Sequence, residues 1–145
     1  MTKKPLLPDV NLWIALTFRN HRKHAPANAW FTGLSFDDTL FFCRTTQQGF
    51  LRLSTNAKVL GNDAVSLTDA WKLYDSICSD SRVHFAIEPA GLESQWRNYS
   101  QGSTFSTNIW TDAYLASFAM AAGYEVVTFD NGFTRYAGLS LTLLK

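Results

Sequence analysis

The sequence predicts an α/β protein built on a central parallel sheet, and three observations predict it. Five short, nearly all-apolar runs are spaced along the chain, and stretches of helical period separate them. The 145 residues, 46% apolar and 17% charged, suffice for one buried core, so residues 1–145 read as a single domain. Parallel strands need a crossover, usually helical, so this alternation implies a sheet with helices on both faces.

The first run, Leu6-Leu7 up to Asp9-Val10, is the first strand. Pro8 stands out there, because proline lacks the ladder donor of a central strand; it is expected to mark a local distortion that orients Asp9. Strongly apolar helices follow over Asn11 to Arg19 and His24 to Gly33. Thr39 to Cys43 is the second strand and Thr46 to Thr55 the next helix. Asn62-Asp63 marks a turn, and Ser66 or Thr68 can cap a helix over Leu67 to Ser79. Val83 to Ile87 is the third strand, Ala90 to Gln101 a helix, and the small polar stretch Gln101 to Thr104 a mobile loop. A helix from Trp110 to Ala122 stops at Gly123, and the strands Glu125 to Phe129 and Leu139 to Leu144 close the chain.

Composition narrows the function. Thirteen Lys and Arg against twelve Asp and Glu leave a net charge of +1, which excludes nucleic-acid binding by bulk charge alone. No apolar run approaches the roughly 20 residues of a membrane span, so the cytoplasm is the expected location. Cys43 and Cys78 have no CxxC partner and read as reduced, packed thiols. Neither a Gly-x-Gly-x-x-Gly nor a Gly-x-x-x-x-Gly-Lys-Ser/Thr element occurs, so no nucleotide cofactor is expected.

In open α/β sheets ligands bind beyond the carboxyl ends of the strands. Asp9 ends the first strand, Asp130 the fourth, and Asp112 opens the last long helix. Taken singly these are an N-cap, a turn residue and a first-turn acid favoured by the helix dipole. Together they form a constellation, because neighbouring carboxylates repel and must share a proton or a cation. Oxygen ligands without His or Cys point to Mg²⁺ or Mn²⁺, which polarises a phosphodiester and lowers the pKa of an attacking water. Asn11 and Thr128 would then orient the carboxylates.

Four segments, in this order, carry a resemblance: Leu7-Pro8-Asp9-Val10-Asn11, Thr46-Gln47-Gln48-Gly49-Phe50-Leu51-Arg52, Thr111-Asp112-Ala113-Tyr114-Leu115-Ala116 and Thr128-Phe129-Asp130-Asn131-Gly132-Phe133. From Leu6 to about Gly138 the chain resembles a PIN domain, and more narrowly the VapC-type ribonuclease toxins of toxin–antitoxin pairs. The resemblance implies a three-layer α/β/α fold with a mostly parallel five-stranded sheet. It implies a Mg²⁺- or Mn²⁺-dependent endoribonuclease acting on tRNA or ribosomal RNA and neutralised by a small antitoxin. By position, Asp9 and Asp112 would contact the metal and Asp130 would help directly or through water. Gln47 stands where the family often has an acid, which implies one tightly held ion.

Arg44 and Arg52, close to Gln47 in sequence, are the expected phosphate contacts, and Lys3, Lys4, Arg19, Arg22 and Lys23 form a second basic group. The apolar first two helices suit an ordinary core, a groove for an antitoxin helix, or a homodimer surface. Two other functions compete: a non-cleaving RNA- or protein-binding module with a degenerate site, signalled by Gln47, and a phosphatase or DNA nuclease using the same acids.

Overall fold

The computed structural model describes residues 3–145, so residues 1 and 2 of the single-domain reading lie outside it. Five strands form one sheet: β1 (Leu6–Pro8), β2 (Leu40–Phe42), β3 (Val83–Phe85), β4 (Glu125–Thr128) and β5 (Leu141–Leu143). Their spatial order is β3-β2-β1-β4-β5, and every neighbouring pair is parallel. The order grows one way from β1 through β2 to β3 and then jumps to the other side of β1. The crevice between the carboxyl ends of β1 and β4 is therefore the topological switch point, the usual ligand position in such sheets.

Seven helices connect the strands: α1 (Val10–Thr17), α2 (His24–Thr32), α3 (Arg44–Ser54), α4 (Ala57–Leu60), α5 (Leu67–Cys78), α6 (Leu92–Tyr99) and α7 (Ile109–Ala122). Successive strand residues face opposite sides of the sheet, and the core divides accordingly. Leu6 packs with Trp13, Phe42, Phe50 and Tyr74 under α1, α3 and α5. Leu7 packs with Val126, Phe118 and Tyr136 under α7. The result is a three-layer α/β/α arrangement. Trp13 is buried and stacks on Phe42 with ring centroids 4.3 Å apart, so the apolar face of α1 is ordinary core. His24 sits with Nδ1 2.8 Å from the Ala15 carbonyl.

Several boundaries differ from those the sequence suggests. α3 starts at Arg44 because Thr46 Oγ1 accepts the Cys43 N–H at 3.0 Å and so caps the helix two residues earlier. α6 starts at Leu92, behind Gly91, whose φ of 83° ends the preceding chain direction. Ser66 is the cap of α5: its hydroxyl accepts the Asp69 N–H at 3.1 Å. Asn62-Asp63 lies in a 3-10 turn after the short α4, which periodicity did not show. The strands at the two edges are not covered on both faces. His84 and Phe85 of β3 are exposed, and β5 is only half-buried.

Pro8 has a specific consequence. β1 pairs with β4 over all three residues but with β2 only at Leu6. Leu6 donates to Thr39 on the β2 side, and Asp9 donates to Val127 on the β4 side at 2.9 Å. By alternation the missing Pro8 donor falls on the β2 side, so that ladder ends where Asp9 begins.

Gly49 of α3 touches α1 beside this point: a Cβ there would lie 2.7 Å from Cγ2 of Val10. Val10 is β-branched and stiff within a helix, so the contact cannot relax by a side-chain swing. Gly49→Ala is expected to destabilise the fold by roughly 1–3 kcal/mol through overpacking, measurable by urea denaturation.

Candidate active site

At the switch point, the end of β1 presents Asp9, the end of β4 presents Thr128 and Asp130, and the first turn of α7 presents Asp112. The Asp9 carboxylate caps α1, Oδ1 accepting the Val10 N–H at 2.8 Å. Its Oδ2 accepts the Thr128 hydroxyl at 2.9 Å. The same Thr128 oxygen accepts the Asp130 N–H at 3.0 Å, and Asp130 Oδ1 accepts the Gly132 N–H at 2.8 Å. One fully buried hydroxyl therefore ties together two acids from different strands. The cap and turn roles of Asp9 and Asp130 exist alongside the clustering, since each carboxylate oxygen has a further lone pair.

The cluster carries unbalanced negative charge. Desolvation pushes the Asp9 carboxyl up, opposed by the Thr128 and Val10 hydrogen bonds, and the Asp130 charge adds to the rise. Asp112 is pushed up to about 6, chiefly by burial and then by the charges of Asp9 and Asp130, with Arg135 pulling in the opposite direction. Hydrogen bonds play no part in holding the Asp112 charge, in contrast to Asp9.

A carboxyl raised in the folded state favours folding fully below its unfolded pKa of about 3.8, and that contribution is lost as pH rises through about 6. The metal-free protein is therefore expected to lose melting temperature between pH 4 and 7. Added Mg²⁺ should restore more of it at pH 7 than at pH 5, a difference read by thermal denaturation in buffers of matched ionic strength.

The donor set fits a hard divalent ion, being all oxygen with excess negative charge. Among the described residues, no group of three or more His, Cys, Asp or Glu side chains is arranged to hold a metal ion. Mg²⁺ suits such a donor set, since it keeps several waters and takes only one or two carboxylates directly.

Gln47 lies in the first turn of α3 and is buried. Its Oε1 accepts Arg44 Nη1 at 2.5 Å, so the amide carbonyl is engaged by a cation of the protein itself. Arg44 also lies over the Phe85 ring, 4.7 Å from its centroid. Arg52 is not brought to the site. It lies eight residues after Arg44 on the same helix, about 12 Å along the axis, and is exposed. Asn11 is exposed on α1, whereas Thr128 bonds Asp9 directly. Lys23 reaches this side of the molecule, 5.5 Å from the Phe129 ring centroid, while Lys3 is drawn away to Asp38 at 3.4 Å. Of the nearby acids, Glu88 accepts the Tyr114 hydroxyl and Glu93 pairs with Arg97.

Two residues of the site escaped the sequence reading. Arg135 lies in a 3-10 turn (Asn131–Arg135) and moderates the Asp112 charge. Tyr136 is buried, its hydroxyl has no hydrogen-bond partner among the described residues, and burial pushes its pKa up, with the nearby Asp112 and Asp130 charges adding to the rise. Their signal was proximity in sequence to Asp130, in a segment whose composition reads as a turn.

The parallel sheet, the switch point and the acids gathered there define the class. The chain belongs to the PIN-domain family, whose model matches residues 6–139. Its relatives include "Ribonuclease VapC41" of Mycobacterium tuberculosis, 41% identical over 143 residues, covering 96% of this chain and 98% of that protein. Among solved structures, M. tuberculosis VapC20, described as a sarcin-ricin loop cleaving toxin, superposes with a TM-score of 0.63 at 17% identity, covering 92% of this chain and 95% of that one. A chain of VapBC2 from Rickettsia felis, bound to a DNA fragment from its promoter, superposes with a TM-score of 0.67 at 15% identity, covering 97% and 98%. None of the helices is long and apolar enough to cross a membrane among the described residues.

Proposed function

We propose that this chain is a divalent-metal-dependent endoribonuclease, the toxin of a toxin–antitoxin pair. The observation that carries the reading is the cluster at the switch point, where Thr128 links Asp9 to Asp130 and the charges of both act on Asp112. The ribonuclease name of the 41% identical relative supports the activity, and the sarcin-ricin loop cleavage ascribed to VapC20 supports the substrate class. The VapBC structure supports a protein antitoxin as partner. The substrate is a structured cellular RNA, tRNA or ribosomal RNA, and the protein acts in the cytoplasm, as a homodimer when free.

Asp9 and Asp112 would hold one Mg²⁺ or Mn²⁺, with Asp130 helping directly or through water. The chemistry such an ion would supply is polarisation of the phosphodiester and a lowered pKa for the attacking water. The chain's own groups do the rest. Thr128 fixes the Asp9 carboxylate, Arg135 limits the repulsion around Asp112, and Arg44 offers its remaining N–H donors to a substrate phosphate. Gln47 positions Arg44 and adds no charge, in keeping with a single ion.

The Gln47–Arg44 bond also favours a second reading, a PIN-fold module that binds RNA or protein without cleaving. Purified protein stripped with chelator and assayed on RNA, DNA and a phosphomonoester separates the two. Cleavage of RNA alone, absent after chelation and restored by Mg²⁺ or Mn²⁺, is the expected result. RNA binding with no cleavage under any metal would move the assignment to the second reading, and cleavage of DNA or the monoester would move it to another phosphoesterase.

A further inference from the structure

A cavity of about 540 Å³ opens at the carboxyl end of β3, and its lining includes Phe85, Ile87, Trp96, Trp110 and Tyr114. Several of these apolar groups face solvent: Ile87 is 83% exposed and Trp110 57%. The walls are fixed nonetheless. The Trp96 indole N–H donates to the Trp110 carbonyl at 3.0 Å, and Trp96 meets Tyr114 edge-on with centroids 5.4 Å apart. Two charged groups enter this lining, Arg44 and Glu88. Arg44 covers the Phe85 face, and Glu88 Oε1 accepts the Tyr114 hydroxyl at 2.8 Å.

The groove and the acidic cluster share elements. Trp110 and Thr111 of the groove immediately precede Asp112 on α7, and Arg44 of the groove bonds Gln47 on α3. Because β2 lies between β3 and β1, Arg44 at its end stands between the groove and Asp9. Along this edge the order is aromatic slot, guanidinium, carboxylates. We infer that the slot holds one unstacked nucleobase of a single-stranded RNA segment, with its phosphate on Arg44 and the next phosphate at the acidic cluster.

This rests on the ribonuclease reading and adds to it the part of the substrate that the protein grips. The charge order is that of a nucleotide strand: an apolar planar base, then an anion, then a second anion that needs a cation to approach carboxylates. A nucleotide strand carries an anion at every step, whereas a protein helix laid in the same groove would need an acidic side chain placed against Arg44. RNA-binding proteins select unpaired regions in this manner, splaying a base onto aromatic rings and reading its edge. The second oxygen of Glu88 is available for that edge, so bases with amino or imino N–H groups are favoured.

The test uses the full chain, short single-stranded oligoribonucleotides containing 2-aminopurine, and chelator to prevent cleavage. The wild type is expected to quench the 2-aminopurine emission on binding. Trp110→Ala should weaken binding about tenfold or more and abolish the quench, and Trp110→Phe should restore most of both. With metal present, Trp110→Ala should raise KM more than it lowers kcat. Ile87→Asp, on a solvent-facing side chain, should weaken binding in the same assay and decides the matter if Trp110→Ala does not fold. A folded Trp110→Ala that cleaves and binds RNA like the wild type overturns the inference and leaves the nuclease reading intact. So does a Trp110→Ala defect confined to a protein partner, which would make the groove a protein-docking face. A wild type that neither binds nor cleaves RNA overturns both.

Discussion

Asp112→Asn is expected to abolish RNA cleavage and, at the same time, to raise the melting temperature of the metal-free protein. The two effects have one cause. Asp112 is half-buried beside two other carboxylates, and its charge is resisted by desolvation, by Asp9 and by Asp130, with only Arg135 in its favour. Asparagine keeps the shape and removes the charge, so the repulsion disappears with the capacity to hold a divalent ion. Loss of groups standing behind metal ligands costs about 10–100-fold, so loss of a ligand should exceed about a hundredfold. In a chain of this size each kcal/mol recovered moves the melting temperature by roughly 2–4 °C, so a rise of a few degrees is expected without metal. The rise should be larger at pH 7 than at pH 5, where the wild-type carboxyl is already mostly protonated. Cleavage assays and melting curves with and without Mg²⁺ check both halves. An Asp112→Asn protein that melts lower and cleaves normally would show that Asp112 is a structural acid.

Thr128→Val should have the next largest effect, although no metal or substrate need touch residue 128. Valine matches threonine in volume, so the packing is kept and two hydrogen bonds are lost: the donation to Asp9 and the acceptance of the Asp130 N–H. Both partners are half-buried, and an unsatisfied group there costs about 1–3 kcal/mol. Asp9 then loses the hydrogen bond that most favours its charged form, so its carboxyl should shift further upward. We expect Mg²⁺ affinity and cleavage at limiting Mg²⁺ to fall about 10–100-fold, with partial recovery at saturating metal and near-complete retention in Thr128→Ser. Calorimetric titration of the metal and activity against Mg²⁺ concentration distinguish this from simple unfolding.

Both predictions show how the site divides between what was legible and what was not. Asp9, Asp112 and Asp130 stood out in the sequence because two follow strand ends and the third opens a helix, places where an α/β fold puts its ligands. Thr128 could be named as a partner because it precedes Asp130 by two residues in an apolar strand. That its hydroxyl also bonds Asp9, 119 residues away, depends on β4 lying next to β1. Arg52 makes a related point: it is close to Gln47 in sequence, yet it is exposed near the far end of the helix whose first turn carries Gln47. Two tryptophans that look alike in sequence are separated by the fold. Trp13 and Trp110 both sit at helix starts among apolar neighbours, yet one is buried against Phe42 and the other faces solvent.

The sequence by itself determined the kind and order of the elements, the parallel sheet that this order forces, and the three acids at its carboxyl edge. Periodic burial is written locally, residue by residue, in the choice of apolar and polar side chains. The tertiary fold sets which strand ends are neighbours. With that it decided that Thr128 joins two acids, that Arg44 takes the Gln47 carbonyl, that Asp112 is crowded by like charges and that an aromatic groove opens beside them. Those are distances between remote parts of the chain. They follow from the strand order β3-β2-β1-β4-β5, which no local pattern encodes.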